Sequence, residues 1–229
     1  MINVKNTIQR SLADLLAPHL CKSCGATGSI LCDSCIYDII ENPFTYCIVC
    51  RRPTNSKALC GSCSEPYERA WCVGEHVDAI KSLVAELKFD RAASVARQLA
   101  ALLDQAIDDL PTGTVVTSIP THSAHIRRRG YDHARLIARE FAQRRGLRYR
   151  DLLKRQTQVE QRGANRANRM AQAKRAFTAR FDDVHDTVLL IDDVFTTGAT
   201  VRNGAAVLRK AGAERVWVAV VARQPLPRK

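Results

Sequence analysis

The sequence predicts an α/β protein with a central parallel sheet, preceded by a small cysteine-rich module. Two observations lead to this prediction. In the C-terminal part of the chain, short apolar runs end in polar turns that lead into amphipathic helices, as strands of parallel sheets do. Eight of the nine cysteines instead fall before residue 64. The length of 229 residues suits one α/β domain and a small module, and Glu65-Pro66 suggests units of 1–66 and 67–229.

Composition and charge favour a folded, basic protein. The apolar content of 46% supports a real core, and the formal charge of +12 favours polyanionic partners, although many basic proteins bind nothing through their charge. Residues 1–20 contain no long apolar run, so they predict neither a signal peptide nor membrane insertion. Ile8, Leu12, Leu15 and Leu16 have helical spacing, which indicates a short helix that packs on the body. We expect a cytoplasmic protein.

The cysteine-rich module consists of four Cys-x2-Cys knuckles. Thiolate-rich four-coordinate sites favour zinc, so the knuckles predict two closed structural zinc sites per chain. The module has so few apolar residues that metal binding must supply much of its folding energy. An interleaved pairing of knuckles also satisfies the spacing, but we favour pairing in sequence order, with Cys21, Cys24, Cys32 and Cys35 on one ion and Cys47, Cys50, Cys60 and Cys63 on the other. The lone Cys72 is expected to be a small buried hydrophobe.

The sequence predicts the first strands and helices of the α/β domain. Residues 71–77 form a candidate first strand, and residues 78–107 have the periodicity of two helices broken near Phe89-Asp90. Residues 114–119 are a β-branched run that ends at Pro120, which indicates a second parallel strand. The loop that follows, 121–131, begins at the carboxyl end of that strand.

The most informative stretch is 188–200, which reads VLLIDDVFTTGAT. Its four apolar residues predict a buried strand with Asp192 and Asp193 at its carboxyl end, where open α/β sheets bind ligands. Gly198 and the surrounding threonines form a phosphate cradle at the start of a helix from Ala199 to about Ala211. Carboxylates suit sugar hydroxyls and the cradle suits a phosphate, a combination that ribose 5-phosphate offers. The alternative is an ordinary strand, turn and helix with a solvated acidic pair.

This stretch resembles the 13-residue signature of the type I phosphoribosyltransferases, which bind phosphoribosyl pyrophosphate (PRPP) together with magnesium. The resemblance implies a type I phosphoribosyltransferase fold. It also implies that the acid pair lies near the ribose 2- and 3-hydroxyls and takes part in catalysis, while the turn holds the 5-phosphate. The PRPP-binding residues would then be Asp192, Asp193, Val194, Thr196, Thr197, Gly198, Ala199 and Thr200.

The loop at 121–131 is a candidate site for a second phosphate group. Arg127, Arg128, Arg129 and Gly130 form a basic, glycine-containing sequence at the end of the second strand. Guanidinium groups in such a place suit the pyrophosphate of PRPP. The alternative is a basic surface loop without a ligand.

Together, the knuckles and the signature resemble one family. Ile119-Pro120 and the run 129–133 between them are similar to the ComF/GntX family, which joins a double zinc ribbon to a phosphoribosyltransferase domain. The similarity covers nearly the whole chain, but Asp132-His133 stands where members often have Asn-Gln, and Gln172 where they often have Asn. The family is linked to competence and the use of external DNA, so DNA-uptake proteins are implied partners.

The segment 144–180 contains twelve Arg or Lys residues against two acids, an excess of +10. In type I enzymes the corresponding region includes a loop that covers the active site. Arg162, Arg166 and Arg169 are therefore candidates to contact pyrophosphate or single-stranded DNA, and the alternative is a solvated basic face.

The sequence is compatible with two functions. One is an enzyme that transfers ribose 5-phosphate from PRPP to an unknown acceptor with pyrophosphate leaving. The other is a non-catalytic protein of DNA uptake that senses PRPP or binds single-stranded DNA.

Overall fold

The computed structural model describes residues 19–54, 58–87, 92–156, 176–181, 184 and 186–225. The predicted N-terminal helix lies outside this part of the chain. The helices described are α1 (Asp33–Glu41), α2 (Asp78–Glu86), α3 (Ala92–Ala106), α4 (Ser123–Arg129), α5 (His133–Arg144) and α6 (Ala199–Lys210). The strands described are β1 (Arg69–Glu75), β2 (Val115–Ser118), β3 (Arg148–Tyr149), β4 (Leu153–Arg155), β5 (Phe177–Ala179), β6 (Thr187–Phe195) and β7 (Arg215–Arg223).

Five of the strands form one parallel sheet in the order β1-β7-β6-β2-β3. The predicted α/β class with a central parallel sheet is therefore confirmed. Strands β4 and β5 form a separate antiparallel pair that the sequence did not indicate. Parallel strands that follow one another in the chain need crossover connections, and helices supply them between β1 and β2, between β2 and β3, and between β6 and β7.

The central strand β6 shows why both faces of the sheet are covered. Its side chains alternate between two hydrophobic clusters, with Leu189 and Ile191 on one face and Val188 and Leu190 on the other. The first face packs against α3 and α5, and the second against α6. Helix α6 approaches closely because Gly204 has no side chain, and a Cβ there would lie 2.7 Å from Ile119 Cδ1.

The cysteine-rich module packs against the body rather than standing apart. Ile30 and Leu31 join the cluster that contains α3 and α5, whereas Phe44 and Ile48 join the cluster on the opposite face. The Ala58 N–H donates to the Ala70 carbonyl at the beginning of β1, 3.1 Å away. The boundary at residue 66 stays a prediction.

One local prediction was wrong, and one strand is longer than its apolar run. Most of the predicted loop 121–131 is helix α4, because the His122 side chain accepts a hydrogen bond from the Ala124 N–H and Gly130, with φ of 83°, ends the helix. Strand β6 also runs on to Phe195, since its pairing with β7 continues as far as Arg223. The Asp192-Asp193 pair therefore lies in the carboxyl-terminal part of the strand, and Val194 and Phe195 continue the strand beyond it.

Candidate functional site

The sheet has a topological switch point between β2 and β6. These strands are hydrogen-bonded neighbours, but the chain leaves β2 toward α5 on one face and leaves β6 toward α6 on the other. Pairing stops at Ser118 opposite Ile191, and β6 continues beyond it. Diverging connections open a crevice at the carboxyl ends of two strands, which is where open α/β sheets bind ligands.

The acid pair lies on β6 at this crevice. Asp192 is 9% exposed, and one of its carboxylate oxygens accepts the Asp193 N–H at 3.0 Å. Asp193 is half-buried and accepts the Val194 N–H at 2.7 Å. Burial, followed by the repulsion of the Asp193 carboxylate, raises the pKa of Asp192 well above its ordinary value. Asp192 is a buried acid held beside a second one, an arrangement that a hydroxyl-bearing or cationic ligand would relieve.

Asp132 is a third carboxylate close to this pair, and it adds to the rise in the pKa of Asp192. Its own oxygens accept hydrogen bonds from the Thr121 N–H at 2.7 Å, the Thr121 hydroxyl at 3.0 Å and the Arg135 N–H at 3.2 Å. Asp132 thus ties the end of β2 to the N-terminus of α5. The sequence signal for this role was an Asp directly before an amphipathic segment, which is an N-cap pattern.

The turn 196–200 forms a compact cradle between β6 and α6. Gly198 has φ of 78°, and a Cβ on it would lie 2.3 Å from the ring of Phe195, so only glycine fits there. Thr196 and Thr197 are exposed, and the Ala199 N–H is 3.4 Å from the Thr197 hydroxyl oxygen. Helix α6 begins at Ala199, so its first N–H groups and Thr200 adjoin the crevice. This combination can accept an anion.

The remaining site residues, which were expected to contact pyrophosphate, stay predictions. Arg127 is exposed on α4, and Gly130 ends that helix. The side chains of Arg128 and Arg129 are not among those described. Arg162, Arg166 and Arg169 lie outside the described residues. No described residue of α4 is shown to contact the acid pair.

Several arginines of the basic segment have structural partners. Arg144 and Arg145 both pair with Asp104 on α3, and Arg148 pairs with Asp186 at 3.3 Å. Arg145 also donates to the carbonyls of Ile107 and Asp108. The described basic residues from 144 to 148 therefore stabilise the body, and much of the remaining charge excess falls in 157–175, outside the described residues.

The eight paired cysteines form two groups that could each hold a metal ion. All ligand atoms within a group lie within 4.8 Å of one another, and the grouping follows the sequence order. Neighbouring sulfurs are 3.6 Å apart between Cys24 and Cys32 and 3.5 Å apart between Cys50 and Cys60. A tetrahedron with zinc–sulfur bonds of about 2.3 Å places sulfurs about 3.8 Å apart, so the geometry suits zinc. Cys72 is buried outside both groups, as predicted.

Arg223 is a further residue near the cradle that sequence reasoning missed. It is only 6% exposed, and its guanidinium donates to the carbonyls of Ile48 at 2.6 Å and Thr196 at 2.8 Å. Nothing in a lone arginine at the end of an apolar strand signals such a role, because both acceptors are distant in sequence.

The chain is similar to known proteins over most of its length. Residues 124–229 match the model of the phosphoribosyl transferase domain. Competence protein F of Haemophilus influenzae is 28% identical over 84% of this chain and 90% of its own. The DNA utilization protein YhgH of Salmonella typhi is 27% identical over 89% of this chain and 96% of its own. The glutamine PRPP amidotransferase of B. subtilis, solved with ADP and GMP, aligns over 56% of this chain and 26% of its own, with 24% identity and a TM-score of 0.42.

The C-terminal part of the chain is thus a phosphoribosyltransferase domain. With its two four-cysteine groups, the chain is similar over most of its length to competence protein F and to the YhgH proteins. In the part of the chain that the structure describes, no helix is long and apolar enough to cross a membrane.

The raised pKa of Asp192 predicts that this side chain opposes folding at neutral pH. A native pKa above the unfolded value means that the native state binds more protons, so stability falls as pH rises through the window above about 3.9. Asp192→Asn should therefore raise the free energy of unfolding by about 1 kcal/mol or more at pH 7, and by less at pH 4. Denaturant titrations at both pH values measure this, and equal or lower stability of the variant at pH 7 would contradict it.

Proposed function

We propose that the crevice between β2 and β6 binds PRPP together with magnesium. The observation that supports this best is the placement of a buried acid pair and a glycine-capped helix N-terminus within the stretch 192–200, at a switch point. The acid pair alone, or the helix N-terminus alone, would suit many ligands. Together they suit a ligand with hydroxyls at one end and a phosphate at the other, which is the ribose 5-phosphate part of PRPP.

The proposed roles follow from the chemistry of each group. Asp192 and Asp193 accept hydrogen bonds from the ribose 2- and 3-hydroxyls, and Val194 continues the strand that holds them. The N–H groups and hydroxyls of the turn then bind the 5-phosphate. The residues in this second role are Thr196, Thr197, Gly198, Ala199 and Thr200.

On the other side of the crevice, we assign the pyrophosphate to the segment between β2 and α5. Arg127, Arg128, Arg129 and Gly130 follow the end of β2, and Arg162, Arg166 and Arg169 are further candidates from the basic segment. Magnesium prefers oxygen ligands and retains waters, so it would neutralise pyrophosphate beside the acid pair.

The reaction that fits this site is transfer of ribose 5-phosphate to an acceptor. The bond between the anomeric carbon and the pyrophosphate oxygen breaks, pyrophosphate leaves with the bonding electrons, and the acceptor nucleophile forms the new bond and loses a proton. Positive charge that develops on the ribose is stabilised by nearby carboxylates, as in glycoside cleavage. The described residues do not identify the acceptor.

Binding of PRPP should depend on the charge of the acid pair. Replacing Asp192 and Asp193 by Asn keeps the shape but removes charge, and hydrogen bonds to charged groups contribute roughly 1.5 to 3 kcal/mol against about 1 for neutral ones. Affinity for PRPP with magnesium should fall by at least about tenfold in calorimetric titration. Asp186→Asn, just before the opposite end of β6, is the matched control and should bind like the wild type. Equal binding by all three proteins would contradict the proposal.

The alternative function is a non-catalytic PRPP sensor or single-stranded-DNA-binding accessory protein of DNA uptake. It is suggested by relatives that are named for competence and DNA utilization. Binding and turnover need the same residues, so the fold does not decide between the two functions. Release of pyrophosphate from PRPP, measured with and without nucleobases or DNA, separates them: release supports the enzyme, and binding without release supports the sensor.

We further propose that the two cysteine groups bind zinc and stabilise the N-terminal module. Native mass spectrometry should find about two zinc ions per chain, because each group supplies one tetrahedral thiolate shell. Cys50→Ser should lose one ion, whereas Cys72→Ser should retain both, since Cys72 lies outside the groups. A metal-free protein whose N-terminal module is still folded would contradict this proposal.

The basic segment generates a separate prediction for single-stranded DNA. Exchanging Arg162, Arg166 and Arg169 for Ala should weaken binding and reduce the slope of log affinity against log salt by about 2, because each phosphate contact on a single strand contributes about 0.7. Arg97→Ala removes an exposed arginine elsewhere and is the control. Fluorescence anisotropy at several salt concentrations gives both quantities. An unchanged slope would indicate a solvated basic face.

A further inference from the structure

The second cysteine group, formed by Cys47, Cys50, Cys60 and Cys63, lies close to the phosphate cradle through two sets of contacts. One set reaches the residues just before the cradle, and the other reaches the helix just after it. Each set begins within two residues of a cysteine in this group: at Ile48, next to Cys47, and at Glu65, two residues after Cys63.

The first set of contacts centres on Arg223 at the end of β7. Its Nε donates to the Ile48 carbonyl at 2.6 Å, and its terminal nitrogen donates to the carbonyls of Phe195 at 3.3 Å and Thr196 at 2.8 Å. A single guanidinium thus joins the loop of a cysteine knuckle to the entrance of the cradle. Its rigid planar fork spreads donors over three nitrogens in fixed directions, whereas the three donors of a lysine all lie on one nitrogen at the end of a flexible stem.

Arg223 also packs against the ring of Phe195, which in turn packs against the cradle. The Arg223 guanidinium carbon lies 5.1 Å from the centre of the Phe195 ring. The same ring lies so close to Gly198 that a Cβ there would be 2.3 Å from it. A chain of contacts therefore leads from the knuckle through Arg223 and the Phe195 ring to Gly198, the residue before α6.

The second set of contacts joins the other end of the cysteine group to α6. Both carboxylate oxygens of Glu65 accept from Arg202, at 2.6 Å from Nη2 and 2.8 Å from Nε, and the Glu65 side chain is only 4% exposed. The Arg202 N–H in turn donates to the Gly198 carbonyl at 2.9 Å. A bidentate pair of this kind fixes orientation as well as distance.

We propose that the second cysteine group positions the phosphate cradle, with Arg223 and the Glu65–Arg202 pair as positioning residues. Metal bound by this group would fix the Ile48 carbonyl and Glu65, and these contacts would then hold the turn 196–200 from both ends. The first cysteine group has no such connection among the described residues, because its neighbours are α2 and α3 on the other face. The effect on ligand affinity rests on the proposed function, whereas the effect on the order of the cradle does not.

The test compares Arg223→Lys with Arg209→Lys in the full-length zinc-loaded protein. Arg209 also donates to backbone carbonyls, those of Ala213 and Glu214, but at the far end of α6. We expect Arg223→Lys to raise the amide exchange rate of residues 196–202 by at least about tenfold and to weaken binding of PRPP with magnesium by at least about tenfold. Arg209→Lys should change neither quantity, and zinc content should be equal in both variants.

Glu65→Gln provides a second route if Arg223→Lys does not fold, and it should loosen the start of α6 in the same exchange measurement. Cys50→Ser should raise exchange in residues 196–202 more than Cys24→Ser does, because only Cys50 belongs to the second group. If wild type binds PRPP and neither Arg223→Lys nor Glu65→Gln alters binding or exchange, the inference is wrong. If wild type does not bind PRPP, the proposed function fails, and the exchange rates alone decide whether the cradle is positioned by this group.

Discussion

The pairing of β6 with β2 on one side and β7 on the other is the constraint on which the site depends. Parallel pairing brings the carboxyl ends of these strands to one edge, and the helices that follow β2 and β6 leave toward opposite faces. The crevice exists because neither helix covers the gap between them. Alternating apolar side chains keep β6 buried on both faces, so the residues at its end are fixed by the core of the whole domain.

The site lies where packing and electrostatics conflict. The extension of β6 to Phe195 buries Asp192, which has Asp193 as its neighbour and Asp132 nearby. A buried carboxyl beside like charges lowers stability at neutral pH, and the pairing of the sheet on either side offsets this loss. A side chain retained at such a cost is expected at a functional site, since a ligand that donates hydrogen bonds or brings a cation would relieve the repulsion.

The cysteine-rich module depends for its folding on contacts with the body and on its two sulfur groups. Its few apolar residues divide between the two hydrophobic clusters of the body, so neither half of the module has a core of its own. Two compact sulfur groups replace the missing core, and their geometry suits metal binding. Because Ile48 and Glu65 lie beside the second group, the module is also connected to the cradle, through Arg223 before it and Arg202 after it.

The sequence by itself determined the fold class, the two helices between β1 and β2, the cysteine knuckles and the strand, acid pair and turn at 188–200. Each is a local pattern in which spacing or periodicity reports directly on structure. Tertiary structure alone decided the sequential grouping of the cysteines, the helix α4, the continuation of β6 through Asp192 and the role of Arg223. The last two depend on partners far away in the chain: Arg223 contacts Ile48 across 175 positions, and β6 is prolonged by its pairing with β7. No local pattern encodes such contacts, because their energy comes from groups that only folding brings together.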